Sequence, residues 1–254
     1  MMPRMWLCEH LETIDSTQRE ALRRIAQINP DSQAPFALWT TRQTQGVGSH
    51  GRPWQDSPGG GLAISIAWPE EQKISTSFAW PARLSLLVLL ALERCYPVLR
   101  NRLGLKWPND ILNGDAKLAG VLVSRHQVHG RWWLIAGFGV NLWWDQWPTL
   151  DRAVTDLRTL GVGAADPQQL VQAVCADMER LWNQQYLAKY CEQEFARRDV
   201  LAGKMVNVVH PQDGGVLHQG ENAGVTSAGE LLLRCGARII TVSIGELSLR
   251  RASP

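Results

Sequence analysis

The sequence predicts an α+β protein, with antiparallel strands and amphipathic helices followed by a small β-barrel. Three observations carry this. Leu103–Trp107, Lys117–Ser124 and Trp132–Val140 read as strands, and the turn residues Asn113-Gly114-Asp115 and His129-Gly130 between them favour antiparallel pairing. Apolar residues recur at helical spacing around residues 84–95 and 170–182. Beyond Val200 the chain breaks into short strand candidates separated by glycine, the texture of a small barrel.

In chain order, the first helix begins near Ile14–Glu20. Thr17 with Glu20 has capping-box spacing, Ala21, Leu22, Ile25 and Ile28 supply the stripe, and Asn29-Pro30-Asp31 stops it. Phe36–Thr41 reads as a short buried strand. Leu62, Ile64, Ile66 and Trp68 alternate with small residues, giving a strand with one large-residue face. Pro81 opens a deeply buried helix through Leu84, Leu87, Val88, Ala91, Leu92 and Cys95. Asp166 before Pro167 starts another, whose core face runs Leu170, Val171, Val174, Cys175, Met178, Leu181 and Trp182. Met205–Val209, Gly215–His218, Gly224–Ser227, Glu230–Leu233 and Ile239–Ile244 are the barrel strands.

Composition excludes several classes. The chain has 254 residues, 45% hydrophobic and 20% charged, enough to bury a core without staples. Lys plus Arg total 26 against 24 Asp plus Glu, and a net charge of +2 argues against a dedicated nucleic-acid binder. The longest apolar run, Leu84–Leu92, is far shorter than the roughly 20 residues of a membrane span. Met1–Leu11 lacks a signal-peptide apolar region. Cys8, Cys95, Cys175, Cys191 and Cys235 are odd in number and widely spaced, which points to reduced thiols in a cytoplasm.

Several segments carry chemistry. Gly46-Val47-Gly48-Ser49-His50-Gly51 matches G-x-G-x-x-G, but the following Arg52-Pro53-Trp54-Gln55-Asp56-Ser57-Pro58 has no helical period, so a Rossmann loop is not expected. An anion-binding loop and a plain surface loop both remain open. Lys106-Trp107-Pro108-Asn109-Asp110 sets a cation, an aromatic plate, an amide and a carboxylate at a strand end, fit either for a nucleotide or for a polar turn. Lys117 opens an apolar strand and is a solvated edge residue unless an anion lies there. Glycines 137 and 139 weaken their strand, as where a ligand or backbone comes close. His126 and His129 have no nearby third ligand, and no metal site is expected from them.

Taken in order, these blocks resemble the biotin protein ligases. The matching pieces are Ile14–Gln18, Gln43 through the glycine loop to Arg52 and Trp54, Lys106–Asp110, Lys117–Gly120 and Gly137–Asn141. Gly245–Arg250 also resembles the family's carboxy terminus. The resemblance implies a mixed, largely antiparallel sheet with helices on one side in a catalytic domain (1–199), then an SH3-like β-barrel (200–254). It implies ATP-dependent attachment of biotin to a lysine of a biotin carboxyl carrier domain through biotinyl-5′-AMP. The first matching motif lies so near the amino terminus that the short form without a DNA-binding domain is expected. Monomer and homodimer both stay open.

By the family's pattern, Ser16, Thr17, Gln18 and Gln43 would hydrogen-bond the biotin head, with Gly48, Gly120 and Gly137 beside it. Lys117 would meet the biotin carboxylate and then the adenylate. Arg52 and Lys106 would contact the phosphates, Trp54 the adenine side, Asn109 and Asn141 would fix the nucleotide, and Gly46 would belong to the same ATP-binding set. Asp110 would orient the incoming lysine. Lys117, Lys106 and Asp110 are thus the expected catalytic residues, and magnesium would ride on the ATP phosphates without a dedicated protein site. The family loop commonly reads G-R-G-R-x-G-R, whereas Val47 and Ser49 stand at the early arginine positions here, so weaker retention of the adenylate is expected. Gln18 stands where asparagine is common. A lipoate or octanoate ligase or transferase, and a non-catalytic biotin-binding module, are the alternatives.

Overall fold

A computed structural model describes residues 7–29, 34–55, 59–70, 80–145, 150, 152–183, 187–210, 213–243 and 248–252. Its first sheet contains β1 (Leu7–His10), β2 (Phe36–Thr40), β3 (Gly61–Pro69), β4 (Gly104–Lys106), β5 (Asp110–Asn113), β6 (Ala116–Val128) and β7 (Arg131–Asn141). The seven strands lie in the order β1-β2-β3-β7-β6-β5-β4. Only β1 with β2 is parallel, so the sheet is mixed and largely antiparallel, as expected.

The alternation in β3 decides what covers each face. Leu62, Ile64 and Ile66 point into the main core with Leu84, Val88, Leu89 and Leu92 of α2 (Trp80–Cys95). Leu170, Val171, Val174 and Met178 of α3 (Pro167–Asn183) join the same core, as does Phe195 of α4 (Leu187–Arg198). The small residues Ala63, Ser65 and Ala67 face the other way. There α1 (Thr17–Gln27) lays Ala21 and Ile25 against Phe36, Leu38, Ala67, Trp133 and Ile135. The expected placement of helices on one side therefore holds for α2 and α3 but not for α1. Small side chains on the α1 face leave room for a cavity; large ones on the α2 face fill the core.

Local signals mostly act where the sequence put them. Asp166 Oδ1 accepts hydrogen bonds from the N–H groups of Gln168 and Gln169 at 2.9 and 3.2 Å, capping α3. His129 and Gly130 both have positive φ, 50° and 75°, and close the β6–β7 hairpin. The capping box is a correction. Ser16 is the N-cap of α1 and makes no side-chain cap bond; Glu20 instead pairs with Arg23 and Arg24 at 2.8 and 2.9 Å. β5 and α4 were not anticipated. β5 is only four residues long, and among the described side chains of α4 the buried apolar anchor is Phe195, amid charged residues, with Arg198 paired to Glu93 at 2.8 Å.

The second sheet is wholly antiparallel and runs β11-β10-β9-β8-β12. Its strands are β8 (Met205–Val209), β9 (Val216–Val225), β10 (Leu231–Cys235), β11 (Arg238–Val242) and β12 (Ser248–Arg251). Two expected short strands, Gly215–His218 and Gly224–Ser227, are the ends of the single strand β9, because Gly220 lies close under β10 instead of breaking the strand. The expectations for the side chains of Leu181, Trp182 and Cys191, for Ile244, and for Gly245–Leu247 fall outside the described residues. Among those described, no helix is long and apolar enough to cross a membrane.

Candidate active site

A cavity of about 110 Å³ opens on the α1 face of the first sheet. One end is neutral and polar. The start of α1 and the segment after β2 run side by side, with Ile14 bridged to Gln43, so Ser16, Thr17, Gln18 and Gln43 converge. Gln43 Oε1 accepts from the Thr17 N–H at 2.9 Å, which leaves its amide nitrogen as the outward donor. Ser65 Oγ donates to Thr17 Oγ1 at 2.8 Å. Gln18 Nε2 donates to Ser124 Oγ and to the Ile135 carbonyl at 2.9 and 3.1 Å. Ser124 also lies 2.9 Å from His126 Nε2, so that histidine serves a side-chain network. Ser16 Oγ is buried without a hydrogen-bond partner among the described residues. Such a group calls for a partner from outside the protein's described side chains, a ligand atom or a water.

The other end is cationic. Lys117, Lys106, Arg52 and Arg152 line it, and Asp110 is the carboxylate among them. Lys117 and Asp110 form a nearly buried ion pair, their side chains 10% and 17% exposed. Lys117 is therefore no solvated edge residue: the bulge between β5 and β6 turns it inward, and its backbone is tied to Ala153 and Thr155. Burial pushes its ammonium below the ordinary lysine range, with Asp110 opposing and Arg152 assisting. Burial would raise Asp110, but the Lys117 charge beside it holds the carboxyl below its usual range.

The strand glycines have a visible purpose. A Cβ at Gly137 would lie 2.6 Å from Gln18 Oε1, one at Gly139 2.6 Å from the Trp54 ring, and one at Gly120 2.7 Å from Lys117 Nζ. Trp54 covers this floor, its ring centre 5.5 Å from Lys117 Nζ. The glycine loop makes no α-helix. Gly48 N–H donates to the Arg52 carbonyl at 2.8 Å, and Asn109 Nδ2 donates to Ser49 Oγ at 2.9 Å.

Ser16, Thr17, Gln18, Gln43, Gly48, Arg52, Trp54, Lys106, Asn109, Asp110, Lys117, Gly120 and Gly137 are thus brought to one cavity. Gly46 and Asn141 are not among its lining. Gly46 holds Trp54 through a 2.9 Å backbone bond, and Asn141 spends its amide on the carbonyls of Lys117 and Thr155 at 3.4 and 3.0 Å. Both sit behind the site as supports. The Trp107 indole is no free plate for a base: it is buried, and its nitrogen donates to the Gly229 carbonyl at 3.0 Å. Sequence reasoning missed Arg152, Ser65 and Ser124. The small-residue alternation of β3 marked Ser65, but nothing local marked Arg152.

The biotin/lipoate A/B protein ligase family model matches residues 11–141, just over half the chain. The chain belongs to that family. Its relatives within the family include the biotin–[acetyl-CoA-carboxylase] ligase of Mycobacterium tuberculosis, 29% identical over 83% of this chain and 77% of that protein. The bifunctional ligase/repressor of Escherichia coli is 28% identical over 95% of this chain and 74% of its own length. In structure, the Aquifex aeolicus biotin protein ligase in complex with biotin and ATP superposes with a TM-score of 0.74 at 24% identity, covering 97% of this chain and 99% of that one. That likeness establishes a common biotin protein ligase fold.

Proposed function

We propose that this family member is an ATP-dependent biotin–protein ligase that forms biotinyl-5′-AMP and passes biotin to a lysine of a biotin carboxyl carrier domain. One observation carries the reading: a single cavity joins the neutral donors around Ser16, Thr17, Gln18, Gln43 and Ser65 to the cations Lys117, Lys106, Arg52 and Arg152. A ureido head, with N–H and C=O groups, suits the first end, where Ser16 Oγ waits buried and unpartnered. A carboxylate meeting a triphosphate suits the second.

In the first step a biotin carboxylate oxygen attacks the α-phosphorus of ATP, and the α–β phosphoanhydride bond breaks to release pyrophosphate. In the second, the carrier lysine's amine attacks the acyl carbon, AMP leaves with the bridging oxygen, and the nitrogen loses a proton. Both transition states gather negative charge near Lys117, which a poorly solvated fixed cation stabilises more than water does. Lys106 and Arg52 hold phosphate oxygens, and Trp54 and Asn109 border the nucleotide. Asp110, kept ionised, is an acceptor for the incoming ammonium. Among the described residues no three His, Cys, Asp or Glu side chains are grouped to hold a metal. Magnesium would enter as part of the MgATP substrate, bound mainly by phosphates and water.

Incubation with biotin, MgATP and a biotin carboxyl carrier domain tests the assignment. AMP, pyrophosphate and a biotinylated lysine are expected. Lipoyl or octanoyl transfer without biotin transfer identifies the other branch of the family, and biotin binding without adenylate formation identifies a non-catalytic module.

A further inference from the structure

Asp110 holds two cations at unequal distance. Its Oδ1 is in contact with Lys117, and its Oδ2 lies 4.0 Å from Arg152 Nη1. Among the described residues these are the cations within ion-pair reach of that carboxylate. The ligase chemistry requires Lys117 to turn toward a substrate carboxylate and then a phosphate, which would strand a carboxylate whose side chain is 17% exposed. An unpaired, largely desolvated charge is far costlier than a paired one. Arg152 is placed to prevent this. Its side chain is 49% exposed and has room to move, while its chain neighbour Ala153 accepts the Lys117 N–H at 2.9 Å. The arginine's backbone is thereby tied beside the strand that carries Lys117.

We propose that Arg152 is a positioning residue that takes over Asp110 as counter-ion, releasing Lys117 to the substrate. The inference rests on the ligase reading and adds a residue that acts through Asp110 rather than on the phosphates. A guanidinium can engage a carboxylate with two parallel N–H donors, so it closes on Asp110 more effectively than a second lysine would.

A double-mutant cycle tests it, using Arg152→Ala, Arg152→Lys, Asp110→Asn and the Asp110→Asn/Arg152→Ala pair in the full chain. Biotin affinity by calorimetry and the single-turnover rate of biotinyl-5′-AMP formation are the readouts, with thermal melting to confirm folding. Arg152→Ala is expected to weaken biotin binding and slow adenylation by about tenfold, within the usual coupling of contacting charged groups. The KM for ATP should move by less than about twofold, and Arg152→Lys should recover part of the loss. In the Asp110→Asn background, where no carboxylate needs a partner, removing Arg152 should change biotin affinity by less than about twofold. An unchanged Arg152→Ala enzyme overturns the proposal. So does an equal loss in the Asp110→Asn background, or a loss confined to the KM for ATP, either of which would put Arg152 directly on the ligand. If the unsubstituted chain forms no biotinyl-5′-AMP, the ligase reading itself fails and takes this inference with it.

Discussion

The indole nitrogen of Trp107 donates a 3.0 Å hydrogen bond to the carbonyl of Gly229, 122 residues further along the chain. Trp107 stands between Lys106 and Asn109-Asp110, so the turn before β10 holds the segment that delivers the cationic end of the cavity. Arg83 reaches the same turn, donating to the Ser227 carbonyl at 2.7 Å. Trp107→Phe should leave the Gly229 carbonyl unpaired and open a small void, costing about 1–3 kcal/mol for the lost partner alone. Urea denaturation measures this, and adenylation should slow with biotin affinity little changed.

Lys117→Ala should lower the adenylation rate by about 100-fold or more, the scale of losing one charge-stabilising donor. The buried pair adds a second effect. Removing the lysine passes Asp110 to Arg152, so stability should fall, but by less than the roughly 3–5 kcal/mol seen when a buried charge is left without a partner. Adding Asp110→Asn should restore much of that stability without restoring the rate. Normal turnover in Lys117→Ala would show that Lys117 has no part in the chemistry.

The pH profile carries a sign. Burial holds the Lys117 ammonium below the ordinary lysine value of 10.5, and the proposed adenylation uses its charge. The log of kcat/KM for adenylation should therefore fall, as pH rises, through a limb placed below that value. Asp110 is already held ionised at neutral pH and contributes no limb there. Lys117→Arg, whose guanidinium keeps its proton, should abolish the limb. A limb that persists unchanged in Lys117→Arg would assign it to another group.

The glycine loop offers a fourth test. Val47 and Ser49 line the cavity where the family pattern carries arginines, and Ser49 instead accepts the Asn109 amide at 2.9 Å. Two charge-assisted hydrogen bonds are worth about 1.5–3 kcal/mol each, so their absence should weaken adenylate retention by up to about 10²–10⁴-fold. Val47→Arg with Ser49→Arg should slow escape of preloaded biotinyl-5′-AMP on dilution into unlabelled biotin and ATP. The gain should fall short of that range because Ser49→Arg also breaks the Asn109 bond. Equal release rates would mean that the loop retains the adenylate by other contacts.

What the chain determined by itself was local. The alternation of β3, the turns at Gly114 and His129-Gly130, and the Asp166 cap follow from backbone sterics and nearest-neighbour hydrogen bonding, which a sequence carries in full. The ordered blocks from Ser16 to Asn141 likewise named most of the cavity lining. Even the need for close approach at Gly137 and Gly139 was legible, although not that Gln18 and Trp54 would fill it. The tertiary structure alone decided which face α1 covers, that Asn141 turns back to the backbone, and that Lys117 is buried on Asp110. It also decided that Arg152, in a segment with no motif, stands 4.0 Å from that carboxylate. These outcomes depend on strand register and on a bulge between β5 and β6, which join residues distant in the chain. Electrostatic partnership follows from spatial distance and desolvation, and neither is encoded at the position of the charge itself.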